Sequence, residues 1–587
     1  MSFSHFYFWK APFSGSSIFL FIHVVGQSFL ETGLLLFVAL VINRIAPRWV
    51  LSMFIGFTFM ALSVQYVNFE FIRFSDTCMS YNAKYIIGCG LTHLVENLIG
   101  GYVGIKELVL FGSVIVLCPF IGIFFYRLTY PLSKRISPTI TLSRLVFGLA
   151  GTSASLFALD LLFLPSVDRL TMVKYQKILP FEATIVPQSP NLIQLSKPIA
   201  ERNENQIDLA VKEKKWTAEK KPNIYLVVIE SLRKDFITKE IAPNLFAFGK
   251  ENFSFKESFS NANATDVSYL SIFHSDYPYH WASMWKNWQG GSVPLRILKD
   301  LGYKTNVYTS SILKTFSMDS FLFGKNLNLI NKIDDFSLNL KAQAWERDEE
   351  CFRALRRDLE KEGGQEGNLF ILFLDSTHAS YSFSEKEPLP FLPISSAHLF
   401  SLDANNLEPM KNRYRNAIHH IDSLFGKLFE TLKEKNLYND AIIAITADHG
   451  EEFMEEGALW HASHLNTYQT SIPIFYKIQD NAWKPLDDCT TQVDIFPTII
   501  HYLTKRSDFD NFFDGRSIFE PNRHSSRVAV MDNRYFPPRE FTVSKKNETY
   551  RFRFPNPNNI YKSRSIEVLG KKPSDQDLDD LLFPLTK

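Results

Sequence analysis

Three apolar runs in this chain each end on side chains able to hold a cation or move a proton. Asn223–Ile229 is followed by Glu230-Ser231, Asn368–Leu374 by Asp375, Thr377 and His378, and Ala441–Thr446 by Ala447-Asp448-His449-Gly450-Glu451-Glu452. Short continuous runs of this composition read as strands buried on both faces. Between them lie amphipathic segments of helical period, Ala242–Lys250, Val293–Leu301 and Tyr414–Lys433, and a further strand at Lys304–Tyr308. That alternation predicts a mostly parallel central sheet flanked by helices. Ligands of such sheets sit beyond the carboxyl ends of the strands. The three strand ends therefore converge carboxylates and imidazoles on one edge, a donor set suited to a hard or borderline divalent cation. Glu230 alone would read as a helix cap. Asp448 and His449, adjacent at a turn that Gly450 permits, are the specific signal.

The domain holding this edge fills only the second part of a 587-residue chain, which is too long for one ordinary domain. Four earlier stretches reach the ~20 apolar residues that a bilayer crossing needs. They are Ser17–Ile42, Trp49–Val67, Leu108–Phe125 and Leu145–Leu164. Tyr85–Val103, interrupted by His93 and Glu96, is either a fifth span or an interfacial helix, and five crossings are favoured. The first segment is too long for a cleaved signal peptide and lacks a small-residue cleavage site. Arg127, Lys134, Arg135 and Arg144 precede the last span with no acid among them, which keeps that loop inside and puts everything after about Pro165 outside. Five spans place the N-terminus inside; four place it outside. His23, Gln27, Glu31 and Asp160 are costly in hydrocarbon and read as interhelical or interfacial contacts, or as a head-group pocket.

The expected organisation is a transmembrane bundle over 1–165, a polar juxtamembrane connector over 166–221, an α/β domain over 222–520, and a small antiparallel part with a tail over 521–587. Within the connector, Arg169–Phe181 alternates basic and apolar residues and suits a membrane surface. Strands are expected at Val528–Met531 and Glu540–Val543, and the acidic Asp575–Asp580 run is a solvated tail or a helix start. Net charge is +1 from 63 basic and 62 acidic side chains, which excludes an electrostatic case for a nucleic-acid partner. Of five cysteines, Cys351 and Cys489 fall in the polar half, as one bridge or as two buried thiols.

Three motifs carry a resemblance. Pro222-Asn-Ile-Tyr-Leu-Val-Val-Ile-Glu230-Ser, Ile445-Thr-Ala-Asp448-His449-Gly-Glu-Glu-Phe453 and Gln492-Val-Asp-Ile-Phe-Pro-Thr498 resemble the sulfatase/alkaline-phosphatase superfamily in order and spacing. With a multi-span N-terminus the chain is similar to the membrane-anchored branch, which includes lipoteichoic-acid synthases, phosphoethanolamine transferases and YejM-type inner-membrane proteins. The likeness to the last group rests on Asn261-Ala-Asn-Ala-Thr265-Asp, on Trp460-His461-Ala-Ser-His464 through Tyr468-Gln469 to Pro473, and on Leu170–Pro180.

Carried over residue by residue, the resemblance implies that Glu230, Thr265, Asp448 and His449 bind one divalent metal, Mn or Zn rather than Mg, with Thr265 as nucleophile at a helix start. It implies substrate-side roles for His378 and His461, with His464 either beside them or structural. Asp266 reads as a helix cap, and His419 and His420 as packing residues. No cysteine stands in the Cys-x-Pro-x-Arg context of a formylglycine sulfatase, so sulfate-ester hydrolysis is not expected. Two functions follow from the resemblance. One is a metal-dependent phosphotransferase or hydrolase acting on envelope lipid or glycolipid head groups. The other is an inner-membrane regulator that binds lipopolysaccharide through a periplasmic domain, acts through protein partners and needs no catalysis.

Overall fold

A computed structural model describes residues 15–75, 105–133, 141–167, 171–172 and 190–587, the last range apart from 282, 285–289, 315–316, 340, 362–365, 387, 396–405, 480–482, 487, 510–511, 521–526, 531–539, 546–547, 575–576 and 587. The described residues fall into a membrane unit ending before Leu192 and a globular unit from Leu192 onward.

The membrane unit holds four helices long and apolar enough to cross a bilayer: α1 (Gly15–Ile45), α2 (Arg48–Ser75), α3 (Ile105–Ser133) and α4 (Leu142–Phe163). Gly26 of α1 lies against Leu156 of α4 and Gly33 against Leu149, so these helices run antiparallel. Gly56 of α2 lies against Ile123 of α3, and Arg48 sits over the Tyr130 ring, so that pair is antiparallel too. The four clear spans are these helices; the Tyr85–Val103 segment, the candidate fifth, lies outside the described residues, as does most of Arg169–Phe181. His23 and Asp160 are fully buried and meet across α1 and α4 at 3.1 Å, while Gln27 Nε2 donates to Glu31 Oε1 at 3.3 Å. His23 and Asp160 thus find one another inside the unit, the arrangement that hydrocarbon demands, while Gln27 and Glu31 pair along α1.

In the globular unit, part of the stretch read as a connector folds with the domain. Strand β1 (Leu192–Gln194) pairs with a C-terminal strand, and helix α5 (Glu204–Glu213) leads to a buried Trp216 packed on Phe509 and Phe512. The central sheet contains β2 (Ile224–Ile229), β3 (Phe253–Ser254), β4 (Lys304–Thr309), β5 (Lys332–Asp335), β6 (Asn368–Leu374), β7 (Ile442–Ala447) and β8 (Ile474–Lys477), in the order β3-β8-β7-β2-β6-β4-β5. The five strands β7-β2-β6-β4-β5 are parallel, and β8 runs antiparallel beside β7. Every residue of β2, β6 and β7 is buried, which explains why they appear as unbroken apolar runs.

Helices α6 (Pro243–Glu251), α7 (Thr265–His274), α8 (Val293–Asp300), α9 (Ala344–Lys361), α10 (Glu408–Glu434) and α11 (Ile495–Thr504) belong to this unit. A second, antiparallel sheet joins β9 (Arg527–Val530), β10 (Glu540–Lys545), β11 (Glu548–Arg553) and β12 (Ser565–Leu569) in the order β1-β12-β11-β10-β9. Its core includes Phe541, Phe552, Val568, Tyr279 and Leu585, the last on α12 (Leu578–Thr586). Cys351 is a free, buried thiol and so is not bridged to Cys489, which is also buried, and His419 and His420 pack within the fold, His419 through the Ile241 carbonyl and His420 on Trp345.

Candidate active site

Strands β2 and β7 lie side by side in register, Ile229 opposite Ala447, so the residues that follow them are brought together by the sheet itself. Glu230 is 4% exposed, and Asp448 and His449 are fully buried. The Glu230, Asp448 and His449 ligand atoms lie within 4.8 Å of one another. His449 Nε2 is 3.4 Å from both Glu230 Oε1 and Asp448 Oδ2. The other ring nitrogen, Nδ1, lies 2.9 Å from the Gly450 carbonyl, and donating there leaves the Nε2 lone pair for the cluster.

Asp448 is held on one side only. Its Oδ1 accepts the Ser231 N–H at 2.8 Å and the His449 N–H at 2.7 Å. Its Oδ2 is buried with no hydrogen-bond donor among the described residues. Burial, and then the charge of Asp448, push the Glu230 carboxyl well above the ordinary carboxylate range. Burial lowers the His449 imidazole to about 4, with the neighbouring His461 adding to the effect. Two acids that repel, one bare carboxylate oxygen and a neutral imidazole form a site that lacks positive charge, and a divalent cation fits it.

Thr265 is the first residue of α7, where a helix presents its positive end. Its Oγ1 donates to Glu230 Oε1 at 3.0 Å and lies 3.3 Å from His449 Nε2. The N-cap is Ala264, with no side-chain cap, so Asp266 does not cap the helix as expected; it sits in the first turn, where its charge favours the dipole.

His378 and His461 approach the same centre. A second trio of possible ligand atoms, Glu230, His378 and His461, also lies within 4.8 Å, a grouping that the sequence did not reveal. The His461 ring is 4.1 Å from that of His449 and 5.6 Å from that of His378. His461 Nδ1 meets Glu451 Oε2 at 3.2 Å. Burial pushes the Glu451 carboxyl up to about 7. Trp460 and Ala462, on either side of His461, both hold positive φ (69° and 63°), a backbone strain of about 1–3 kcal/mol each concentrated at this position. His464 is different: its Nδ1 meets Glu452 Oε2 at 3.0 Å, within a network that includes Asn466 and Gln469. It serves the loop.

Gly450 is required for a reason other than turn conformation. A Cβ there would stand 2.2 Å from the Tyr468 carbonyl oxygen. The Gln492 motif also acquires a role: its side-chain amide donates to the Ala447 carbonyl at 2.9 Å and bonds the Asp448 carbonyl, and its Oε1 accepts the Asn261 N–H at 3.0 Å. It fastens the loop before Thr265 to the end of β7.

Residues 222–505 match the sulfatase family model. Just under half of the chain is thus similar to that family, in a sulfatase-like α/β domain. Among curated proteins, a multifunctional alkaline phosphatase superfamily protein, PehA of Trinickia caryophylli, is 27% identical over 121 residues, covering 20% of this chain and 23% of PehA. An uncharacterised protein of Haemophilus influenzae is 21% identical over 304 residues, covering 51% of this chain and 44% of that protein. The chain thus matches less than half the length of either relative. Among solved structures, the lipoteichoic acid synthase LtaP of Listeria monocytogenes has a TM-score of 0.45 at 15% identity, over 66% of this chain and 93% of that one. The periplasmic domain of Escherichia coli EptC in complex with zinc has a TM-score of 0.42 at 18% identity, over 62% and 96%.

Proposed function

We propose that the sulfatase-like domain is a membrane-anchored, metal-dependent phosphotransferase or hydrolase acting on an envelope lipid or glycolipid head group through Thr265. The reading is carried above all by one observation: the Thr265 hydroxyl sits at a helix start, 3.0 Å from Glu230 and 3.3 Å from His449, beside a buried Asp448 oxygen that has no donor among the described residues. Glu230, Asp448, His449 and Thr265 would hold the cation, Mn or Zn rather than Mg because an imidazole is in the set. When bound, such an ion acidifies a hydroxyl it touches and offsets charge on phosphoryl oxygens.

The chain's own residues then divide the work. Thr265 Oγ attacks phosphorus, the bond from phosphorus to the leaving oxygen breaks, and a phosphothreonine ester forms. Its proton is directed at Glu230, the acceptor of its hydrogen bond. His378 and His461 protonate the leaving oxygen and later deprotonate the acceptor alcohol or water, which takes the phosphoryl group and restores the threonine. The α7 N-terminus steadies the anionic oxygens. The basic loop before α4 supports an orientation with the domain outside the inner membrane, in the periplasm, where lipid donor and acceptor share one surface with it.

The test uses the full chain in detergent, reconstituted with Mn or Zn and given phospholipid donors. Wild type is expected to hold metal and turn over, Asp448→Ala to lose both, and Thr265→Ala to hold metal more weakly through the three remaining ligands and to lose the head-group ester on the protein even when metal is saturating. A wild-type chain that takes up no metal sinks the catalytic reading. Binding of lipopolysaccharide and capture of inner-membrane partners would then be the function to measure.

A further inference from the structure

Arg233 lies three residues beyond Glu230 and is 3% exposed, a burial that a guanidinium tolerates only when its donors are engaged. Its Nη1 donates to the Glu451 carbonyl at 3.0 Å and to Glu455 Oε1 at 2.8 Å. Its Nε and Nη2 grip the Asp235 carboxylate at 2.9 and 2.6 Å. The rings of Phe236 and Tyr468 each lie 4.9 Å from its Cζ. Its backbone N–H donates to Tyr414 OH at 3.0 Å, and that hydroxyl donates to the Ser231 carbonyl at 2.6 Å. None of these bonds goes to a candidate ligand atom.

The connections matter because of what hangs on each end. The Glu230-Ser231 turn supplies one carboxylate and, through the Ser231 N–H, orients Asp448. Ser231 stands at a positive φ of 54°, a conformation that neighbouring bonds must maintain. Glu451, whose carbonyl Arg233 holds, carries the carboxylate that meets His461 Nδ1. Two loops from different strands therefore keep one relative position through a single planar cation and the Tyr414 hydroxyl from α10. A lysine could supply the charge but not the fork that reaches Asp235, Glu455 and the carbonyl together.

We infer that Arg233 is a positioning residue for the candidate cation site: it sets the loop bearing Asp448, His449 and Glu451 against the turn bearing Glu230, and so sets the ligand geometry. The inference rests on the metal-dependent reading above. Losing a group behind the ligands typically lowers metal affinity by about 10–100-fold.

The experiment titrates Zn into the full chain in detergent by calorimetry, for wild type, Arg233→Lys, Arg233→Met and Tyr414→Phe, with thermal unfolding measured alongside. Arg553→Met serves as the control, since Arg553 pairs with Glu540 in the C-terminal sheet at 2.7 Å. Arg233→Lys is expected to remain folded and bind Zn at least about tenfold more weakly. Tyr414→Phe should weaken binding in the same direction by less, and Arg553→Met should lower the unfolding temperature without moving affinity. If Arg233→Met fails to fold, the lysine and phenylalanine variants decide the matter. Folded Arg233→Lys with wild-type affinity overturns this inference alone. A wild-type chain that binds no Zn overturns the cation reading and this inference with it.

Discussion

Two buried aspartates brace the carboxyl edge of the central sheet, and the protein treats them differently. Asp348, on α9, is saturated: its carboxylate accepts the Asp375 N–H and the Ser376 N–H, each at 2.9 Å, and the hydroxyls of Ser310 and Ser376. It joins the ends of β4 and β6 and so fixes the turn that leads to His378. Asp448 is equally buried, yet its donors reach Oδ1 only, and its neighbours are Glu230 and a neutral histidine. A buried acid with enough donors is scaffold, since hydrogen bonds offset part of its desolvation and leave no oxygen bare. A buried acid with a bare oxygen beside a second acid is costly until a cation arrives.

The sharpest way to break this contrast is to neutralise each aspartate in turn. Asp448→Asn is expected to lower affinity for Mn or Zn by more than the roughly 100-fold lost behind a ligand, and to raise the stability of the metal-free chain by about 1 kcal/mol. Asp348→Asn should leave affinity unchanged and cost about 2–3 kcal/mol, because donors gathered around a carboxylate lose their acceptor. Calorimetric metal titration and denaturant unfolding of the same samples separate the two. If both variants move the same quantity, the distinction between scaffold and site is wrong.

The contrast can also be sharpened by pH. Burial raises the Asp348 carboxyl to about 6, above its value in the unfolded chain. An acid so raised favours the folded state while protonated. Its contribution is complete below about pH 4, falls as pH rises, and is gone above about 6, a change of about 3 kcal/mol at most. Unfolding free energies of wild type minus Asp348→Asn, followed from pH 4 to 7 without metal, should therefore carry this slope. Other buried acids titrate in both proteins and cancel in the difference.

Much of the Asp448 side of the comparison was legible in the sequence, and almost none of the Asp348 side. Glu230, His378, Asp448 and His449 follow strands whose apolar runs announce themselves, and a parallel sheet must bring such ends to one edge. The four strands read from the sequence appear with shifts of at most one residue, as at Ile442–Ala447. Asp348 sits early in α9 among charged neighbours, and its donors arrive from Ser310, Asp375 and Ser376 beyond other strand ends. Nothing local marks it as buried. Arg233 and Gln492 were hidden for the same reason, since their partners are 218 and 44 residues away in Glu451 and Asp448. Strand β8 was missed because it is short and antiparallel, and Gly450 was noticed for the wrong cause, because a steric approach by Tyr468 leaves no trace in sequence.

The smallest effect concerns adjacent residues. Glu452 accepts five hydrogen bonds, from the Glu456 and Ala458 N–H groups, His464, Asn466 and Gln469. Burial alone would raise its carboxyl, but the His464 contact together with the Asn466 and Ala458 hydrogen bonds outweighs that and holds it below the ordinary value. Glu451, on the opposite side of the same backbone, meets His461 beside the candidate ligands. Glu452→Gln should therefore cost about 1–2 kcal/mol of stability and leave Zn affinity where it was. Glu451→Gln removes a buried charge, so stability should hold within about 0.5 kcal/mol, while Zn affinity falls about tenfold as His461 loses its orienting acceptor. The two variants differ by one position in the chain and exchange which measurement responds. Equal responses would mean that both glutamates are scaffold, and that the boundary between site and scaffold lies closer to Asp448 and His449 than the geometry indicates.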